Sequence, residues 1–266
     1  MKLMLQLVAV LGTASLGATG VQAQVFDAGV PAGYTCTGSC GVSGANGSVT
    51  LAPNGGNQFG WISTDRGALR NPLGILGTTN GSTLLSSAFT ASAGQALSFS
   101  FNFITSDGAN HFTDYGFVRL IGLSGTAILF SARSLPGGNT VPGFGLPGLA
   151  PGVALTPSST PIIRGAPSFS PLGSSSGECF GSVGCGMTGW LRAEYVVPVA
   201  DTYRLEFNVF NMVGTGYQSA LAFDFGSGSG GTPVVTPSVV PEPGTCALTV
   251  TGLLGLVGVA RRRRTT

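Results

Sequence analysis

The pattern of apolar and polar residues between residues 24 and 225 is dominated by alternation with a period of two. In segment 95–105, serine and asparagine alternate with the apolar residues Leu97, Phe99, Phe101 and Phe103. This alternation places the large side chains on one face of a β-strand and the polar ones on the other, so one face must be buried. Seven further segments share the pattern: 58–63, 83–89, 115–123, 126–133, 190–197, 203–212 and 219–225.

Glycine, asparagine and aspartate stand between these segments and supply turn chemistry, while no mature segment shows a long helical period of 3.6. About eight short strands of this kind predict an all-β fold, namely an antiparallel β-sandwich of jelly-roll-like topology. A β-helix would require a repeat of fixed short period, which the sequence lacks. Residues 199–202 predict a hairpin connection in which Asp201 bonds its own backbone.

Segment 134–189 interrupts the alternation with eight of the sixteen prolines. Proline cannot donate a backbone hydrogen bond, so most of this segment cannot form central strands. We expect a long surface excursion from the sandwich, and excursions of this length are either functional or mobile. Segment 226–240, rich in Gly, Ser, Thr and Pro, predicts a flexible linker after the 24–225 domain.

The amino terminus predicts export. Met1 and Lys2 give a positive start, residues 3–16 are mostly apolar, and Val21 and Ala23 are small residues at the two positions that a signal peptidase inspects. Residues 1–23 are therefore predicted to be a signal peptide that signal peptidase removes after Ala23.

The carboxyl terminus has three consecutive parts. A Pro241, Glu242, Pro243 tripeptide precedes an apolar stretch, 244–260, and a cluster of four arginines follows. At about 1.5 Å per residue the apolar stretch spans roughly 25 Å, near the lower limit for crossing a bilayer. Because Lys and Arg are retained on the cytoplasmic side, a single transmembrane helix over 244–260 with a basic stop over 261–264 is predicted. The arginines of the stop are Arg261, Arg262, Arg263 and Arg264.

This order resembles the PEP-CTERM sorting signal of Gram-negative bacteria, here occupying residues 241–266. The resemblance implies that an exosortase, a membrane-embedded cysteine transpeptidase, cleaves near the tripeptide after transient membrane anchoring. The ectodomain would then reach the cell surface or the exopolysaccharide matrix. Segments 99–120 and 188–224 also resemble the sandwich ectodomains often found ahead of such signals. The alternative for the tail is an ordinary single-span anchor.

Net charge excludes one class of partner. Between residues 24 and 243 there are seven arginines and ten carboxylates, a net charge of −3, and the arginines are scattered. Nucleic-acid binding requires clustered Lys and Arg to neutralise phosphates. We therefore expect no nucleic-acid partner.

The cysteines fall into two local pairs, Cys36 with Cys40 and Cys179 with Cys185, while Cys246 lies in the apolar tail. In an oxidising compartment, two local disulfides are the simplest arrangement. Cross-pairing remains open, and a zinc site of four cysteines is the alternative.

The segment after the aromatic strand offers oxygen ligands. Asp107, Asn110 and Asp114 lie within eight residues, with Gly108 permitting a sharp turn, and calcium binds such oxygens in flexible loops. The resemblance to PEP-CTERM ectodomains implies that Asp224, at the end of the final strand, could approach this loop. The hypothesis is a structural calcium ion, the sole cofactor expected; the alternative is an Asx-turn loop joining two strands.

Candidates for catalysis are few. The single histidine, His111, could pair with Asp107 or Asp114 and a serine, yet no Gly-x-Ser-x-Gly elbow lies at a strand-to-helix turn to support such a triad. Glycoside hydrolysis would need two facing carboxylates, whereas Glu194 and Glu206 lie on predicted strands near arginines and are expected to form ion pairs on the surface. The third glutamate considered, Glu178, lies in the excursion.

Two functional hypotheses of different class follow. The favoured one is a non-enzymatic surface or matrix protein that binds or packs within exopolysaccharide, with Trp61, Tyr34 or Tyr217 stacking on sugar faces. Trp190, at the start of a strand, is expected to belong to the core. The alternative is a secreted hydrolase that acts on matrix polysaccharide.

Overall fold

A computed structural model describes residues 25–225 apart from Asn54 and Ser182. The predicted signal peptide, the linker, the sorting signal and Cys246 lie outside the described residues. Within 25–225, no helix has both the length and the apolar character needed to span a bilayer; the predicted transmembrane helix over 244–260 falls beyond this range.

The described chain is all-β, as predicted, and its strands form two main antiparallel sheets. The strands are β1 Thr35–Thr37, β2 Ser39–Ser43, β3 Phe59–Ser63, β4 Thr78–Leu85, β5 Phe89–Ala91, β6 Ala96–Thr105, β7 Tyr115–Gly122, β8 Gly125–Arg133, β9 Asn139–Val141, β10 Val153–Thr156, β11 Thr160–Pro161, β12 Ile163–Arg164, β13 Gly186–Met187, β14 Leu191–Val196, β15 Asp201–Met212 and β16 Ser219–Asp224.

Sheet 1 has the order β1-β4-β15-β7-β8, with β5 paired to β15. Sheet 2 has the order β10-β14-β6-β16-β3-β2, in which β13 also pairs with β6 and β12 pairs with β13. Strands β9 and β11 form a small third sheet.

The long strands are β3, β4, β6, β7, β8, β14, β15 and β16, and seven of the eight segments predicted from alternation coincide with one of them. The eighth, 83–89, covers only the last three residues of β4 and the first residue of β5. Along the chain the long strands alternate between the two sheets, except that β7 and β8 are neighbours in sheet 1. The chain therefore crosses from sheet to sheet at nearly every connection.

Aromatic rings from the two sheets meet in a shared core. Phe101 of β6 stacks on Phe130 of β8, with ring centroids 4.7 Å apart, and Phe207 of β15 stacks on Phe223 of β16 at 4.0 Å. All four rings are fully buried. The alternating face of segment 95–105 is thus the inner face of sheet 2, and the two sheets form a sandwich.

The connection over residues 199–202 differs from the prediction. Asp201 does bond its local backbone, since its Oδ1 accepts the N–H of Thr202 at 2.6 Å. However, β14 belongs to sheet 2 and β15 to sheet 1, so the connection is a crossover and not a hairpin. Turn chemistry predicts where the chain reverses, but it does not predict which strand becomes the partner.

The proline-rich excursion, 134–189, packs against sheet 2. A 3₁₀ turn, Ser170–Ser175, carries Leu172, and both Leu172 and the preceding Phe169 are fully buried in a second cluster with Phe59. Strand β10 of the excursion lies at the edge of sheet 2, beside β14. Most of this segment thus lies at the edge of a main sheet or outside both, as its prolines predicted; the exception is β13, which pairs with β12 on one side and β6 on the other.

Two disulfides join Cys36 to Cys40 and Cys179 to Cys185, as the local pairing predicted. Cys36 lies on β1 at an edge of sheet 1, and Cys40 lies on β2 at an edge of sheet 2. The first disulfide therefore fastens the two sheets together along one edge of the sandwich.

Replacing Cys36 and Cys40 together by serine is expected to lower the free energy of unfolding by about 2 kcal/mol, because a short loop is no longer closed in the unfolded chain. Urea unfolding of the purified protein measures the change, with the chemically reduced wild type as comparison. A double variant with the wild-type urea midpoint would show that this bond does not stabilise the sandwich edge.

Candidate functional site

The predicted calcium loop joins β6 to β7, and hydrogen bonds between Asp107 and neighbouring residues hold its conformation. Asp107 Oδ1 accepts the N–H of Ala109 at 3.3 Å, and the Asp107 N–H donates to Thr105 Oγ1 at 3.0 Å. A carboxylate that accepts the N–H two residues onward is the Asx turn weighed as the alternative. Burial raises the pKa of Asp107 to about 6, partly offset by the bond from Ala109.

The disulfide loop of the excursion covers this segment. The N–H of Phe180 donates to the Ser106 carbonyl at 2.9 Å, and the N–H of Gly108 donates to the Phe180 carbonyl at 2.8 Å. The side chain of Ser106 donates to the Ser175 carbonyl at 2.8 Å. The excursion thus returns to close one end of the sandwich over Asp107, a contact that local sequence did not predict.

At the same end of the sandwich, Asp114, which directly precedes β7, accepts hydrogen bonds from residues of β15 and β16. Its Oδ1 accepts the N–H of Met212 at 2.8 Å, and its Oδ2 accepts the hydroxyl of Ser219 at 2.6 Å. The side chain is 1% exposed. Burial raises the pKa of Asp114 well above its usual value, opposed by the Ser219 and Met212 hydrogen bonds and reinforced by the charge of Asp107.

The structure does not bring the four predicted metal ligands together. Asn110 is exposed, whereas Asp107 and Asp114 are buried. On β16, Ser219 pairs opposite Thr105 near Asp114, but Asp224 pairs opposite Ser100. Five residues of strand separate them by about 17 Å. Within residues 25–225, no group of three or more His, Cys, Asp or Glu side chains could hold a metal ion.

Asp224 instead meets the start of the described chain. Its Oδ1 accepts the N–H of Phe225 at 2.8 Å, while its buried Oδ2 has no hydrogen-bond partner among the described residues. The pKa of Asp224 is raised to about 6 by burial, offset by the N–H groups of Phe225 and Gly56, and raised further by the charge of Asp27. Asp27 was not singled out from the sequence, because nothing local marks a contact between the two ends of the domain.

Trp61 lies beside a shallow groove on sheet 2. Its indole covers Gly41 of the neighbouring strand β2; a Cβ at Gly41 would lie 2.6 Å from the Trp61 ring, so glycine permits this close approach. The groove has a volume of about 360 Å³. Hydroxyl, amide and charged side chains surround the half-buried indole: Ser39, Ser43, Asn46, Asp65 and Arg66.

The other predicted stacking aromatics are engaged within the protein. Tyr34 packs edge-on against Phe26 with centroids 6.5 Å apart, and burial raises the pKa of its hydroxyl. Tyr217 stacks on Phe180 at 5.0 Å. Of the three aromatics proposed for sugar stacking, the structure places only Trp61 beside this groove.

Trp190 was expected in the core, but it is half-buried and packs against the outside of the second cluster, as Trp61 also does. The Trp190 ring lies edge-on to Phe59 with centroids 5.4 Å apart, and its indole N–H donates to the Thr50 carbonyl at 2.9 Å.

The candidate catalytic residues are dispersed. His111 is exposed, while the carboxylate of Asp114 accepts hydrogen bonds from Met212 and Ser219. Glu194 of β14 is exposed and pairs with Arg192 of the same strand at 2.7 Å. In the other sheet, Glu206 of β15 pairs with Arg119 of β7. Both glutamates form ion pairs, but only Glu194 does so at the surface, because Glu206 is buried. Glu178 is exposed in the excursion.

A scan against protein-family models finds no match for this chain, and a search of curated proteins finds none either. Among solved structures, the chain is similar to the K1 cleaved adhesin domain of Lys-gingipain from Porphyromonas gingivalis, with 11% identity and a TM-score of 0.33 over 75% of this chain and 94% of that one. It is also similar to the K3 cleaved adhesin domain of the same protein, with 12% identity and a TM-score of 0.32 over 77% of this chain and 99% of that one. At these scores the likeness carries no functional argument.

Proposed function

We propose that this chain is an exported bacterial protein of the cell surface or exopolysaccharide matrix, with a jelly-roll sandwich that serves as a non-enzymatic structural or glycan-binding module. The strand order supports the jelly-roll assignment, because two antiparallel sheets each contain four long strands and the chain passes repeatedly between them. The two disulfides suit an oxidising compartment.

The Trp61 groove is the observation that carries the glycan-binding proposal. A sugar ring presents an apolar face of C–H groups and a rim of hydroxyls, which call for an aromatic surface with polar groups around it. The indole of Trp61 supplies the surface, while Ser39 and Ser43 supply hydroxyl groups at the groove. The amide of Asn46, which also lines the groove, is held in place by hydrogen bonds to Ser43 and Ser170. Asp65 and Arg66, with carboxylate and guanidinium 3.6 Å apart, place both charges at the same groove.

Export and sorting complete the proposal. The tripeptide Pro241-Glu242-Pro243, the apolar stretch and the arginine cluster support recognition by an exosortase-type transpeptidase after signal peptidase has acted. The protein would be anchored transiently in the membrane and then released to the surface or matrix. Mass spectrometry of the mature carboxyl terminus tests this: a product that still carries Arg261–Arg264 in cells with an active transpeptidase would contradict sorting.

Trp61→Ala is expected to weaken binding to purified exopolysaccharide from the producing cells by about tenfold or more, since removal of a central aromatic anchor commonly costs over 1 kcal/mol. Trp61→Phe keeps an aromatic face and should retain most of the affinity. Binding is measured by affinity electrophoresis, with circular dichroism to verify folding.

The matched control is Leu123→Ala, which truncates a side chain that is 92% exposed in the turn between β7 and β8. Its affinity should equal that of the wild type. Equal affinity in Trp61→Ala would remove this groove from the proposal. Release of reducing ends from the polysaccharide, abolished by changing one carboxylate, would establish the hydrolase instead.

A further inference from the structure

We propose that Asp27 and Asp224 bind a calcium ion at the end of the sandwich where β16 terminates, and that this ion joins the start of the domain and the loop segment 55–58 to the last strand. This site is separate from the Asp107 loop and from the Trp61 groove. It would be structural and does not depend on glycan binding.

The first observation is the carboxylate of Asp224. The residue is 1% exposed, and Oδ2 is buried without a hydrogen-bond partner among the described residues. A buried carboxylate oxygen that lacks both a donor and a counter-charge is costly, and proteins commonly compensate such charges by pairing or by metal coordination. Oδ1 is already engaged by the N–H of Phe225, so Oδ2 is the oxygen left for a cation.

The second observation is another carboxylate held by the same loop. Asp27 Oδ1 accepts the N–H of Asn57 at 2.7 Å and the N–H of Gln58 at 3.0 Å. The same loop also reaches Asp224, because a Cβ at Gly55 would collide with Asp224 Oδ2. The segment 55–58 therefore contacts two acidic side chains from opposite ends of the described chain, which brings two negative charges to one short loop.

No arginine neutralises these charges within the described part of the chain. The ion pairs there are Arg66 with Asp65, Arg119 with Glu206 and Arg192 with Glu194, and neither Asp27 nor Asp224 takes part in one. The described residues thus leave this acidic pair without a protein counter-ion, which a divalent cation would provide.

The loop backbone approaches the free oxygen closely. A Cβ at Gly55 would collide with Asp224 Oδ2, so the absence of a side chain there is required. The Ala52 carbonyl oxygen lies 3.0 Å from the position that this Cβ would occupy. It accepts the N–H of Gly55 with one lone pair, which leaves its other lone pair free. Gln58 adds a buried amide oxygen without a donor in the same loop.

Carboxylate, carbonyl and amide oxygens on an irregular loop are the ligands that calcium accepts, six to eight of them in flexible geometry. Magnesium demands near-ideal octahedral geometry and keeps several waters. The site therefore favours calcium, with water completing the coordination.

The test uses the purified full-length chain in detergent, treated with chelator and then titrated with calcium chloride. We expect a single calcium ion to bind, and the melting midpoint to rise by about 5–10 °C at a free concentration one hundred times Kd. Asp224→Asn and Asp27→Asn should each lower calcium affinity at least one hundredfold and abolish the midpoint shift. Asp107→Asn, in the other loop, is the matched control and should keep the full response.

The two carboxylate variants keep the test decisive if one fails to fold, because Asp27 is only half-buried whereas Asp224 is fully buried. A wild type whose midpoint does not respond to calcium would overturn the proposal. So would an undiminished response in Asp27→Asn, or a response that is lost in Asp107→Asn and kept in the other two variants. None of these outcomes bears on Trp61, so failure here leaves the glycan proposal standing.

Discussion

Phe207→Ala is expected to lower the free energy of unfolding by about 3–5 kcal/mol, the usual cost of emptying a fully buried aromatic site. Phe207 lies in the interior of β15, between β4 and β7 in sheet 1, and is 0% exposed. Its ring stacks across the sandwich on Phe223 of sheet 2 at 4.0 Å. Truncation therefore removes an inter-sheet contact as well as buried apolar surface.

Urea unfolding measures this loss, and Phe144→Ala is the matched control because the same atoms are removed from a side chain that is 67% exposed. The control should change the unfolding free energy by less than about 0.5 kcal/mol. Similar losses in the two variants would mean that the inter-sheet aromatic core does not dominate stability.

The strands of this protein could be predicted because large apolar residues recur at every second position and face the shared core. In β6, the apolar set from Leu97 to Phe103 faces this core, and shifting the register by one residue would replace it there by the polar set that includes Ser100 and Asn102. In β15, Phe207 and Val209 face the same core, although both faces of this strand are buried from Leu205 to Met212. Period-two patterning therefore indicated both the class of fold and the location of the long strands.

The pairing of those strands could not be predicted from alternation alone. Asp201 was expected to form a turn and does bond the N–H of Thr202, yet the following strand joins the opposite sheet. Alternation records that a face is buried, without recording which sheet buries it. The distinction between hairpin and crossover depends on contacts far apart in sequence.

The candidate sites show the same limit. Asp107 has the composition of a cation-binding loop, but Ala109 engages its carboxylate in an Asx turn and the disulfide loop covers it. Asp224 was expected to approach that loop, but it pairs opposite Ser100 at the other end of β16, where Gly55 packs against its carboxylate. Short polar loops of similar composition form either cation sites or Asx turns. Which of the two forms depends on the segment that packs over the loop.

Asp114 is expected to make the protein less stable as the pH rises above about 4. Burial raises the pKa of this carboxyl in the folded state above that in the unfolded chain, so the folded state binds the extra proton. The stabilisation is fully present below the unfolded pKa and is lost as the pH rises through the folded pKa. Asp107, with a pKa raised to about 6, contributes in the same direction.

Asp114→Asn should reduce this pH dependence while preserving the network, because the amide oxygen can accept from Met212 and the amide N–H can donate to Ser219. Asp114→Ala should instead lower the unfolding free energy by about 2–4 kcal/mol, since the buried N–H of Met212 loses its acceptor and Ser219 loses a partner.

Urea titrations at pH 4, 5.5 and 7 in the presence of chelator separate the effect of charge from the effect of the lost hydrogen bonds. The asparagine variant should lie closest to the wild type at low pH and match or exceed it at pH 7. An asparagine variant whose stability falls with pH as steeply as that of the wild type would show that the pKa of Asp114 is the same in the folded and unfolded states, and the slope would then belong to Asp107 and Asp224.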